Sequence, residues 1–196
     1  VEKALMRMAD DSFSPTYLRA STAYGVSPRL RFDLVTNNLT AWAFTTGKVL
    51  LKSDGSPWRP IVHIRDIALA YIAALQAPRD LIHNEAFNVG TTAENYQIRE
   101  IAQLVEKIVP DCHVGFAADA GPDKRNYRVN CDKIARTLHE YKPQWTAERG
   151  VVELYNQYKE TGLTVDDFEG PKFMRIAHIK KLIEEKRLDE NLRWTD

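Results

Sequence analysis

Residues whose types and spacing could do chemistry are few and scattered. Tyr155 and Lys159 fit Y-x-x-x-K, a spacing that serves proton transfer. They sit late in the chain, without a Ser or Thr partner or an adjacent cofactor strand, so a solvated helix face is expected instead. His63 lies inside the apolar run Ile61-Val62-His63-Ile64, which fits a core histidine hydrogen-bonded to backbone. Asp66 precedes a strongly apolar helix and is expected to be its N-cap rather than a base. Asn88 is read as satisfying backbone at a strand end. Cys112 and Cys131 are too few for a disulfide framework or a four-ligand zinc site, and are read as small buried hydrophobes. The nine glycines never form G-x-G-x-x-G, so the sequence holds no glycine cradle for a dinucleotide pyrophosphate. No H-E-x-x-H, P-loop, G-x-S-x-G or C-x-x-C occurs either.

These residues must be positioned by a mixed set of short elements. Val1, Ala4, Leu5 and Met8 recur at i, i+3, i+4 and i+7, drawing one apolar stripe on a helix already under way at the first residue. That places a cut through an element at Val1 and makes the chain read as a fragment. Thr16–Ser21 predicts a strand, Phe32–Thr46 a helix stopped by Gly47, and Val49–Leu51 a strand. Ser53–Pro57 predicts a turn, Pro60–Ile64 an extended stretch, and Ile67–Gln76 a helix. Ala86–Gly90 predicts a buried strand, Ile98–Ile108 a helix ended by Pro110, and His113–Phe116 a strand followed by a small-residue loop to Pro122. Tyr127–Val129 reads as extended, with helices at Asp132 to about His139 and at Glu148–Glu160. The tail from Pro171 to Leu188 carries Phe173, Ile176, Ile179, Leu182 and Ile183 on one helical face. Alternating strands and helices argue α/β, with too few strands for a full doubly wound sheet.

The 196 residues suit one or two compact domains, and Lys+Arg and Asp+Glu are equal at 27 each. Zero net charge supplies no field for a general nucleic-acid coat. No apolar run approaches the ~20 residues needed to span a bilayer. A reduced, cytoplasmic setting is expected.

Five segments together resemble one family. Leu18-Arg19-Ala20-Ser21-Thr22-Ala23-Tyr24-Gly25 is similar to the strand-to-loop "LR-x-x-[NT]-x-YG" of extended short-chain dehydrogenases/reductases. Ser27 to Asp33 continues in the style of the NAD-dependent epimerase/dehydratase branch. Gly55 to Asp66 resembles "G-x-x-x-R-x-x-(I/V)-H-V-x-D", and Phe87-Asn88-Val89-Gly90 resembles "(Y/F)-N-(V/I)-G". Asp123 to Val129, with Lys133 and Ile134 in register, resembles the closing "D-x-R-x-Y-x-(V/I)-(D/S)-x-x-K-(I/A)". The order and spacing hold over residues 1 to about 140.

The resemblance implies an α/β fold: the C-terminal portion of a Rossmann-like extended short-chain dehydrogenase, its last sheet strands plus the smaller α/β substrate-binding lobe. On that reading residues 1–26 end the NAD domain, 27–165 form the substrate lobe with strands returning to the main sheet, and 166–196 are a helical tail. The implied function is the substrate-binding part of an NAD-dependent nucleotide-sugar epimerase or dehydratase, acting by transient hydride transfer. The alternative is a non-catalytic nucleotide-sugar-binding module. NAD or NADP is implied for the full-length parent, with the catalytic Tyr and Lys upstream of Val1. The chain alone is expected to bind no cofactor and to be inactive. The implied partner is a nucleotide-diphosphate sugar, with no nucleic acid or membrane, and the resemblance allows a homodimer of the parent.

The family's site maps onto named residues. Ala20, Ser21 and Thr22 would lie beside the cofactor, and Thr22 stands where many relatives carry an Asn near the sugar or diphosphate. A diphosphate favours arginine, whose fork grips two oxygens at once. Arg59 stands where the family places a diphosphate-contacting Arg, the alternative being an ion pair with Asp54 or Asp66. Arg125 is a second candidate, with Asp123 for a ribose hydroxyl, though Arg128 competes for the same contact. Arg31, Asp33 and Asn38 either reach the nucleotide or cap and decorate the following helix.

Overall fold

The computed structural model describes residues 1–121 and 126–195. The chain opens with α1 (Glu2–Met6), then β1 (Thr16–Ala20), β2 (Thr22–Tyr24), α2 (Val35–Thr46), β3 (Lys48–Ser53) and β4 (Trp58–His63). α3 (Ile64–Gln76), α4 (Arg79–Ile82), β5 (Glu85–Val89), β6 (Asn95–Gln97), α5 (Ile98–Ile108) and β7 (His113–Gly121) follow. α6 (Asp132–Thr137), α7 (Ala147–Thr161), α8 (Val165–Glu169) and α9 (Arg175–Glu184) complete the described elements. The fold is mixed α/β, as expected.

The expected single strand from Thr16 to Ser21 is instead the first of two that serve different sheets. β1 runs parallel to β5, with Leu18 opposite Phe87 and Ala20 opposite Val89. Ser21 makes the last contact with that pair, its N–H donating to Val89 O at 3.0 Å. The chain then crosses to β4, where β2 aligns in parallel with Thr22 opposite Ile61. β6, which no periodicity announced, pairs antiparallel on the other edge of β4, placing Arg59 opposite Tyr96.

β4 is the seam of the molecule because alternate side chains leave a strand on opposite faces. Ile61 enters a large core with Tyr24, Leu39, Ile101, Val151 and Leu154. Val62 enters a smaller one with Ala70, Phe87, Val89 and Ile134. Burial of side chains of this size contributes ~1.5–3 kcal/mol each, so this strand ties two apolar cores together.

Local chemistry sets the helix ends. Gly47 stops α2 in the left-handed region at φ +66°, where a Cβ is disfavoured. Gln97 and Glu100 form a capping box at the start of α5, and the Thr146 hydroxyl accepts from Arg149 N–H at the start of α7. α2 begins three residues later than the periodicity indicated. The reason is Phe32, which is buried among Tyr158, Phe168 and Phe173, with centroid separations of 4.9 to 5.7 Å.

Several expectations need correction. Residues 117–121 extend β7 instead of forming a loop, because β3 offers a parallel edge that continues, past an irregularity, to Ser53 opposite Gly121. α6 ends at Thr137. The tail's apolar residues do not share one buried face: Phe173 packs on Phe32, Leu182 is buried, and Ile176 is 72% exposed. At the start of the chain, Val1 and Met8 are exposed and only Leu5 of the expected stripe is half-buried. Among the described residues, no helix is long and apolar enough to cross a membrane.

Candidate functional site

Arg59 is the second residue of β4, directly after a turn that its own side chains build. Asp54 Oδ1 accepts from the N–H and hydroxyl of Ser56 at 2.9 and 2.7 Å. Gly55 sits at φ +71°, with Arg99 so close that an added Cβ would lie 2.8 Å from its Cβ. The Arg59 side chain is nearly buried at 9% exposure. Its Nη1 donates to Trp58 O at 2.8 Å, and its guanidinium carbon lies 5.6 Å from the centre of the Tyr127 ring.

The segment after the undescribed stretch is sewn to the same strand. Asn126 Oδ1 accepts from Trp58 N–H at 3.0 Å, and the Arg128 guanidinium covers the Trp58 ring at 4.4 Å. Asn95, buried on β6, clamps the next residue through both amide atoms: its Oδ1 accepts from Val129 N–H and its Nδ2 donates to Val129 O, each at 2.9 Å. Arg128 is therefore engaged by an indole face. Asp123 and Arg125 lie outside the described residues.

The other expected positions divide into groups. Thr22 is half-buried on β2 and registers with Ile61 on β4, so it shares a sheet with Arg59 two positions along. Ala20 is exposed at the end of β1. Ser21 faces the end of β5, where Gly90 adopts φ +148° and a Cβ would come 3.0 Å from Ser21 Oγ and 3.4 Å from Cys131 Sγ. Arg31 and Asp33 form a two-toothed pair at 3.0 and 2.5 Å. The Arg31 guanidinium holds the Asp33 carboxyl below its usual range. Asn38 is half-buried in the first turn of α2, its N–H donating to Leu34 O.

Beside this region lies a polar network that sequence reasoning only partly anticipated. His63, not Asp66, caps α3: its Nδ1 accepts from Arg65 N–H at 3.2 Å. The ring proton therefore sits on Nε2, which donates to Glu153 Oε2 at 2.8 Å. Burial pushes the His63 pKa down, against the opposing pull of Glu153, and the ring stacks on Trp145 at 3.8 Å. Asp66 is a long-range clamp, its two oxygens accepting from the N–H groups of Gln144 and Trp145 at 2.9 and 3.0 Å. Glu94 takes Ala147 N–H at 2.8 Å, and burial raises its pKa. Three acids thus fasten residues 144–153 to β4 and its neighbours, a role with no short-range sequence signal.

Asn37 was also missed. It is buried, accepting from Gly25 N–H at 3.1 Å and donating to Arg31 O at 3.0 Å. Tyr155 is not on a solvated face: it packs on Phe44 at 5.9 Å, while Lys159 is exposed. Cys112 and Cys131 are free and buried as expected. Asn88 donates to Asn130 O at 3.0 Å, in keeping with a backbone-satisfying role. Among the described residues, no group of His, Cys, Asp or Glu is placed to hold a metal ion.

Comparison with known proteins bears on this arrangement. Residues 1–90 match the NAD dependent epimerase/dehydratase family. The matched segment contains Ala20, Ser21, Thr22, Arg31, Asp33, Asn38 and Arg59. Among solved structures, the UDP-glucuronic acid 4-epimerase from Bacillus cereus, in complex with UDP-glucuronic acid and NAD, is 26% identical at a TM-score of 0.59. The match covers 74% of this chain and 45% of that one. The UDP-glucose 4-epimerase from Thermotoga maritima, with UDP-glucose, is 22% identical at a TM-score of 0.68, covering 83% and 52%. The dTDP-glucose 4,6-dehydratase from Bacillus anthracis, in complex with NAD, is 21% identical at 0.60, covering 73% and 44%. The last two likenesses show a shared α/β fold. The chain spans about half the length of the solved structures it matches.

Proposed function

We propose that this chain provides the nucleotide-sugar grip of an NAD-dependent epimerase or dehydratase, with Arg59 holding the diphosphate and Thr22 beside it on the adjoining strand. The observation that carries the reading is Arg59 itself: a nearly buried guanidinium at a strand start, aligned by Trp58 O and Tyr127, inside the segment that matches the family. Pre-alignment lowers the side-chain entropy lost when an anion docks. Ala20 and Ser21 end the parallel pair β1–β5, the end at which open α/β sheets receive ligands. In support, the structures from Bacillus cereus and Thermotoga maritima hold UDP-glucuronic acid and UDP-glucose.

NAD does not fit these residues as a complete site. The nine glycines form no G-x-G-x-x-G turn that would present amides to a pyrophosphate. No hydride step is therefore assigned to this chain's residues; their part is to bind and orient the sugar nucleotide. On this reading residues 27–165 make up the substrate lobe. Calorimetric titration of the chain with UDP-glucose and dTDP-glucose tests the proposal: saturable binding is expected, and none up to about 1 mM would refute it.

A further inference from the structure

A second concave site lies away from Arg59, between residues 28–30 and the segment that leads into α9. It is a cavity of about 450 Å³ lined by Pro28, Arg29, Leu30, Phe173, Met174 and Arg175 among others, with Lys172 and His178 also on its wall. Three lining residues, Arg29, Lys172 and Arg175, are cationic, and none is acidic. Lys172 is committed to Asp167 at 2.6 Å. Arg29 and Arg175 have no carboxylate within 4 Å among the described residues. Arg175 acts electrostatically on Asp33, whose carboxylate is already held by Arg31 Nε and Nη2. The first turn of α9 carries no acid, and Met174 offers it no side-chain acceptor.

The wall between the cations is apolar and anchored. Phe173 meets Phe32 edge to face at 4.9 Å, and Leu30 is buried in the large core. The volume lies within the range of small-molecule sites, ~300–1,000 Å³. A cavity of this size, lined by two guanidinium groups without an ion-pair partner and by apolar side chains, suits a small molecule that carries a phosphate at one end.

We infer that the cavity between residues 28–30 and 171–178 binds a phosphate-bearing small molecule, its anion held by Arg29 and Arg175. The phosphate comes either as a free phosphoanion or as part of a nucleotide. The inference is independent of the role given to Arg59.

The test is calorimetry on the whole chain with two probes, inorganic pyrophosphate and UDP, on wild type, Arg29→Gln, Arg175→Gln, Arg59→Ala and the exposed control Arg136→Gln. Circular dichroism melts confirm that each surface variant folds. Expected is binding that weakens about tenfold in Arg29→Gln and in Arg175→Gln, and that Arg136→Gln leaves unchanged. Binding of both probes with this dependence identifies a free phosphoanion site; binding of UDP alone with this dependence assigns the phosphate to a nucleotide. Either result supports the inference. It is overturned if neither probe binds at about 1 mM, or if Arg136→Gln weakens binding as much as the two cavity variants. It is overturned equally if only Arg59→Ala matters, an outcome that would leave the Arg59 proposal standing.

Discussion

Replacing Asp66 by alanine tests whether one carboxylate fastens residues 144–145 to the seam strand. Asp66 is 2% exposed and takes two backbone N–H bonds, from Gln144 and Trp145. A hydrogen bond to a charged group contributes ~1.5–3 kcal/mol. Water entering the vacated space will re-satisfy part of the two orphaned amides, so the expected loss is near the low end of the sum, about 3 kcal/mol. For a chain of this size that lowers the melting temperature by roughly 6–12 °C. Asp66→Asn keeps the shape and one acceptor oxygen but turns an NH2 toward the second amide, so it should recover only part of the loss. The assay is thermal unfolding paired with hydrogen exchange. Amides of Gln144 and Trp145 should exchange faster in both variants, while those of β1 and β5 keep their relative protection. If Asp66→Ala melts within about 2 °C of wild type and both amides stay protected, the clamp is not energetically significant and the reasoning fails.

Two further outcomes are expected. Gly150→Ala places a Cβ 2.1 Å from Tyr24 Cε2 and should cost about 3 kcal/mol, whereas Gly162→Ala meets nothing within 4 Å and should cost only ~1–2 kcal/mol for its left-handed backbone; denaturant unfolding of the two variants checks the contrast, and equal losses would refute it. Because burial lowers the folded pKa of His63, the unfolded chain binds its proton first, so the contribution of His63 to stability is present above about 6.5 and is lost as pH falls below it. Melting temperatures at pH 7 and 5 should show a drop that His63→Gln reduces; an unchanged drop in the variant would contradict it.

What was legible in the sequence followed from local patterns. The ends of the helices stopped by Gly47 and Pro110 and of the strand before Gly90 rest on signals within a few residues, and those ends stand where expected. The division at Ser21 did not show, because β-formers run on from Thr16 through Tyr24 while the partner strands lie some forty and seventy residues away in the chain. The capping role slipped from Asp66 to His63 for a related reason. Asp66 has the right residue type for a cap, but a pair of amides far along the chain occupies its carboxylate. Of the candidate site, Arg59 and Thr22 were proposed from type and motif, and they lie on neighbouring aligned strands. The indole cover on Arg128 and the Asn95 clamp are tertiary contacts that no spacing encodes, whereas Arg31 and Asp33 pair locally, two residues apart.

The central claim, that Arg59 grips the diphosphate of a sugar nucleotide, is tested most directly by one dissociation constant. UDP-glucose and dTDP-glucose are titrated into wild type, Arg59→Ala and Arg59→Lys at fixed salt, with melts run alongside. A charge-assisted contact of ~1.5–3 kcal/mol predicts binding weaker by roughly one to two orders of magnitude in Arg59→Ala. Arg59→Lys should recover only part, because an ammonium cannot reproduce the planar fork. Wild-type affinity in Arg59→Ala, with a lowered melting temperature, would make Arg59 a structural residue and contradict the account.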